Sequence, residues 1–213
     1  MRKALYRMVR ERGGCTIGST MYRPMGIDRF RRGLVQFVTG EPKIVSVDRT
    51  EPFDPTTFIG QGWGLWRGPL DGDGLEGEIE QDERSLALTE IDLTRIGLRT
   101  CLRSGEHCLG GREFLRRLQA GNDILLDAGI FQYLWKNPHL FPLGLKEKID
   151  DHRICVFFFG SPLRDPDGRC CILYLYWREG GLCWFFRHLG GEWIISNPAA
   201  VLDGLSSSVS AAQ

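Results

Sequence analysis

The sequence predicts an α+β fold: an antiparallel C-terminal β-meander packed on a pair of helices, with a β-rich N-terminal part. Three observations carry this. Two mid-chain segments place apolar residues at helical spacing, and the last third alternates apolar runs with turn chemistry. Valine- and isoleucine-rich pieces precede both. The implied organisation is a basic arm over residues 1–40, one α+β domain over 41–203 with its aromatic meander at 154–196, and a tail over 204–213. That tail is small, polar and expected to lack order.

In chain order, ALYRMVRER reads as a short helix stopped by Gly13-Gly14, and GLVQFVTG and KIVSV read as strands. EPFDPTTF, with two prolines, reads as a connection whose turn starts at Asp54-Pro55. FIGQGWGLWRGP suggests an irregular strand, and DGDGLEGEIEQDERS an exposed acidic loop. SLALTEIDLTRIGLRTCL alternates in part and fits one or two strands, with helix competing over LALTEI. Residues 112–120 form the first clear helix, Phe114, Leu115 and Leu118 on one side and arginines on the other. The second spans 127–136, with Asp127 as N-cap, Ile130, Phe131, Leu134 and Trp135 as its apolar face, and Pro138 beyond its end. GLKEKIDDHR is a polar connection. ICVFFFG, RCCILYLYW, LCWFFRHL and GEWIIS then read as four successive strands, the first and second joined by DPDG and the second and third by REGG.

Ten of the chain's 23 aromatics fall between residues 156 and 193. Strand alternation puts Leu173, Leu175 and Trp177 on one face, and Ile172, Tyr174 and Tyr176 on the other. Trp184, Phe186 and His188 likewise oppose Cys183, Phe185 and Arg187. Neither face is polar, so both need cover. The expectation is that the two helices cover one face while the sheet curls into a small barrel to close the other. Against it stands a functional reading, in which Tyr174, Tyr176, Arg187 and Trp193 form a ligand platform. Such platforms contribute about 1–3 kcal/mol per stacked base in single-strand binders.

Net charge is zero but unevenly spread. Residues 1–32 hold nine cationic side chains against Glu11 and Asp28, a net +7, while residues 48–92 hold twelve acids against three arginines, a net −9. The arm, with Arg7, Arg10, Arg12, Arg29, Arg31 and Arg32, suits an anionic partner such as nucleic acid, or the acidic segment of its own chain. MRKALYRMVRERGG carries no apolar block like that of a secretory signal, and no run reaches the roughly 18 apolar residues of a membrane helix. The cytoplasm is the expected compartment. Seven cysteines at irregular spacings, several inside apolar runs, suggest buried thiols rather than a disulfide framework.

Motifs for chemistry are sparse. GQGWG is not a dinucleotide fingerprint and no P-loop lysine follows a glycine cluster, so no cofactor is expected. Gly160-Ser161-Pro162 reads as a strand end, not a nucleophile elbow. PLDGDGLEGEIE places Asp71, Asp73 and Glu80 at calcium-loop positions, but Pro69 falls where the first ligand belongs. Cys101, His107 and Cys108 want a fourth ligand to make a zinc site. His188 reads as a hydrogen-bonded structural residue, and Glu113, Asp123 and Asp127 show no spacing that pairs them.

Three blocks, VDRTEPFDPTTFIGQGWGLWRGPLDGDGLEGE, DAGIFQYLWKNPHLFP and VFFFGSPLRDPDGRCCILYLYW, are followed by Trp184, Trp193 and Asn197-Pro198-Ala199. In that order they resemble a group of bacterial proteins with no assigned function. The resemblance covers residues 47–202, departs from the group's tryptophan-rich pattern at Phe185, Phe186, Arg187 and His188, and implies no site residue. The function expected is a non-enzymatic binding module using the aromatic sheet surface, with a protein or nucleic acid as partner. The alternatives are nucleic-acid binding through the basic arm and the aromatic face, and a metal-assisted hydrolase using the Asp71, Asp73 and Glu80 loop.

Overall fold

A computed structural model describes residues 34–37, 40–71, 80–149 and 151–203. The arginines at 7, 10, 12, 29, 31 and 32, the first helix, Asp73 and the tail lie outside the described residues. The two valine-rich pieces become β1 (Leu34–Gln36) and β2 (Ile44–Ser46), so the main sheet begins inside the segment read as the arm. EPFDPTTF holds a one-turn helix, α1 (Pro55–Phe58), rather than a simple turn. Asp54 accepts hydrogen bonds from the Thr56 and Thr57 amides, and Pro55 sits where a helix has no use for an amide proton.

After the short β3 (Gly64–Leu65), the ambiguous central segment resolves into α2 (Glu83–Leu86), β4 (Glu90–Asp92) and β5 (Ile96–Arg99). Of LALTEI only Leu86 is helical, at the end of the one turn that Asp82 caps by accepting from the Arg84 amide. β6 (Cys108–Gly110) leads into α3 (Gly111–Gln119), which buries Phe114, Leu115 and Leu118 as its spacing predicts. β7 (Ile124–Leu125) precedes α4 (Ala128–Lys136), and Asp127 caps α4 by accepting from the Gly129 and Ile130 amides. The polar connection folds as a hairpin, β8 (Lys148–Ile149) and β9 (His152–Arg153). The last third supplies β10 (Val156–Arg164), β11 (Cys170–Arg178), β12 (Gly181–His188), β13 (Glu192–Ile194) and β14 (Ala199–Leu202).

The main sheet runs β1-β5-β14-β10-β11-β12, with β3 also on β10 and β7 also on β14. Pairing is antiparallel except between β10 and β14. Three departures from expectation follow from this path. The order is open, ending at β1 and β12, and no barrel closes among the described residues. β13 leaves the meander to pair with β6 in a separate two-stranded sheet. Gly160, Ser161 and Pro162 lie inside β10, where its register against β11 shifts between Phe158 and Leu163, rather than at a strand end.

The aromatic load is explained by cover on both faces, one helix to each, instead of both helices on one. Phe131 of α4 meets Phe158 and Trp184 edge-on, at centroid distances of 5.4 and 6.3 Å. Leu173 and Leu175 belong to that same core. On the opposite face Phe114 of α3 stacks on Phe159 at 5.3 Å and Trp193 at 5.4 Å, with Phe157 and Ile172 alongside. Such pairs contribute about 0.5–1.5 kcal/mol each beyond the area they bury.

Candidate functional site

The β11–β12 hairpin carries the residues of interest. Its turn at Glu179-Gly180 and Gly181, which takes a φ of 131°, sets a register unbroken over eight pairs, from Arg178↔Gly181 to Cys171↔His188. The facing assignments read from alternation hold: Leu173 opposes Phe186, and Tyr174 opposes Phe185.

The four residues named as a platform separate. Trp193 is fully buried among Phe114, Phe157 and Phe159, so it belongs to the core and offers no contact surface. Arg187 donates through Nη1 to the Glu192 carbonyl at 2.9 Å and the Asn197 side chain at 2.8 Å. Its guanidinium carbon lies 5.7 Å from the Trp193 ring, so the side chain ties β12 to the β13 region. Tyr174 and Tyr176 remain half-buried, 5.6 Å apart, and Tyr174 lies 6.2 Å from Phe185. Phe131 and Trp135 pack on Phe58, on the side of Trp184, and do not cover them. Burial pushes both phenols upward, so they stay neutral at physiological pH.

Of the three acidic-loop candidates, Asp71 and Glu80 are among the described residues. Asp71 accepts from the Arg67 amide, Nε and Nη2, and Arg164 lies 3.4 Å away. The Arg67 hydrogen bonds, which outweigh desolvation, hold the Asp71 carboxyl below its ordinary value. A carboxylate committed to two guanidiniums is a poor calcium ligand, and Glu80 is exposed.

One cluster escaped the reading of the sequence. Cys171 Sγ lies 3.2 Å from His188 Nδ1, and Asp165 Oδ2 lies 3.8 Å from the same nitrogen. Cys171 and Asp165 are buried, while the His188 side chain is 41% exposed. Leu189 donates its amide to the Cys170 carbonyl, which makes the neighbouring Cys171↔His188 pair a non-hydrogen-bonded one, where opposed side chains come closest. The DPDG turn supplies Asp165: Gly168, at a φ of 80°, closes the turn, and Asp165 Oδ1 accepts from the Asp167 and Arg169 amides. Arg169 Nε reaches Asp165 Oδ2 at 2.9 Å. Burial and the neighbouring Asp165 carboxylate push the Cys171 thiol upward, which rules against a ready thiolate nucleophile. Cys101, His107 and Cys108 form no such group.

No family model, curated protein or solved structure matches the chain. No helix among the described residues is long and apolar enough to cross a membrane.

Proposed function

We propose that the protein is a binding module that takes an extended polypeptide segment of a partner along β12. One observation carries this reading. Among the described residues β12 pairs with β11 alone, leaving an eight-residue edge whose every residue is half-buried. Natural sheets blunt such edges with lysine, proline, bulges or short length. GLCWFFRH has no lysine or proline, its register with β11 shows no shift, and its arginine is folded back onto Glu192 and Asn197. An added strand gains affinity from main-chain hydrogen bonds and specificity from its alternate side chains. Tyr174, Tyr176 and Phe185 supply the aromatic surface on which those side chains rest.

The test is selection of short linear peptides on the full-length protein, followed by titration against two variants. Because Leu189 donates inward, alternation points the Leu182 amide outward, so Leu182→Pro removes a donor that the hairpin does not use. Phe185→Glu puts a charge on the aromatic surface. Each variant is expected to weaken the selected peptides about tenfold or more. Peptides that bind both variants as tightly as the parent protein would refute the edge as the site. Binding to single-stranded oligonucleotides that collapses with salt, in place of peptide binding, would favour the basic arm instead.

A further inference from the structure

We propose that Asp165, Cys171 and His188 bind a divalent transition ion of the zinc class. The three ligand atoms lie within 4.8 Å of one another. A tetrahedral zinc ion holds sulfur at about 2.3 Å and nitrogen and oxygen at about 2.0–2.2 Å, which sets donors about 3.3–3.6 Å apart. The two separations to His188 Nδ1, 3.2 and 3.8 Å, bracket that spacing, and with Cys171 and Asp165 within 4.8 Å of each other, side-chain rotations close the set. A thiolate, an imidazole and one carboxylate oxygen select a borderline-soft ion over calcium or magnesium.

The surroundings suit the same ion. Asp165 Oδ1 is held by two backbone amides, at 3.0 Å from Asp167 and 2.8 Å from Arg169. That fixes the carboxylate and aims Oδ2 toward His188, the kind of outer support that metal ligands need. The Cys171 thiol lies 3.6 Å from the Arg169 carbonyl and 3.2 Å from His188 Nδ1, and on metal binding its proton leaves to solvent. Thiolate and carboxylate then neutralise the two charges of the ion. His188 binds through Nδ1 and keeps its proton on Nε2. Three protein donors leave a fourth position, and the half-exposed histidine gives the entry path.

Arg169 competes for the site. Its guanidinium bonds Asp165 Oδ2, and it also pairs with Asp167. With its side chain 51% exposed it can release Oδ2, but its charge opposes the ion. Arg169→Gln is therefore expected to bind the ion more tightly than the parent protein does.

The experiment strips the full-length protein with a chelator and titrates it with cobalt(II), then with zinc. Expected are one equivalent of cobalt with a thiolate-to-cobalt charge-transfer band, displacement by zinc, and a melting temperature raised by zinc. Cys171→Ser loses the band and His188→Ala weakens binding about tenfold or more, whereas Cys108→Ser retains both. A band that survives Cys171→Ser and vanishes in Cys108→Ser overturns the proposal, as does a folded parent protein that shows no band. If Cys171→Ser does not fold, Arg169→Gln decides: unchanged or weaker affinity overturns the site. None of these outcomes depends on peptide binding at the β12 edge.

Discussion

At the scale of single residues, the most buried ion pair among the described residues belongs to neither candidate surface. Asp127 is fully buried at the start of α4, where the Arg49 guanidinium grips both its oxygens at 2.9 Å and the Ser85 hydroxyl donates at 2.5 Å. Arg49 also donates to the Leu88 and Ser85 carbonyls, which joins α2, α4 and the chain after β2. Burial alone would raise the Asp127 pKa, but the Arg49 and Ser85 hydrogen bonds outweigh it and hold the group below its ordinary value. A lowered carboxylate stabilises the fold fully above its unfolded pKa, and that contribution is lost as pH falls through the lower folded value. Arg49→Ala strands the buried charge and is expected to cost about 3–5 kcal/mol in urea denaturation at neutral pH. Asp127→Asn should flatten the acid limb of the stability profile below the ordinary carboxylate range. An Arg49→Ala protein as stable as its parent would show that the pair is not a structural clamp. The sequence made Asp127 visible as a cap because capping is local; Arg49, 78 residues away, carries no such signal.

At the scale of elements, what could be read from the sequence was what local chemistry decides. The strands β10, β11 and β12, their two glycine turns, and the helices α3 and α4 are each set by periodicity and by residues within a few positions. What could not be read is what distant partners decide. β14 is four apolar residues after a proline, too brief to announce itself, yet it lies between β5 and β10 and fills the middle of the sheet. β13 reads as a meander strand and is drawn off to β6, with Trp193 filling the space above α3. The Cys171 and His188 pairing follows from counting back from the β11–β12 turn, but Asp165 joins them only through the three-dimensional return of the DPDG turn. If β14 organises the sheet, a chain ending at Pro198 should lack a cooperative thermal transition and near-ultraviolet dichroism. A cooperative melt in that truncated chain would mean that β5 and β10 close on each other without it.

At the scale of the molecule, one sheet separates two cores, and this answers why the last third is so aromatic on both sides. The α4 face gathers Phe131, Phe158, Leu173 and Leu175, and the α3 face gathers Phe114, Phe157, Phe159 and Trp193. Alternate residues of the same strands feed opposite cores: Phe157 and Phe159 point one way and Phe158 the other. Neither core can lose its strands without exposing the second, so the two should melt together. Phe114 and Phe131 are both fully buried, one per core, and truncating either to alanine is expected to cost about 3–5 kcal/mol. In each variant the single unfolding midpoint should fall, with far-ultraviolet dichroism and tryptophan fluorescence still tracing one curve. A Phe114→Ala protein that melts in two steps, fluorescence ahead of dichroism, would mean instead that the α3 layer opens alone. The sheet would then support that layer without depending on it, and the two faces would be separate folding units rather than two sides of one.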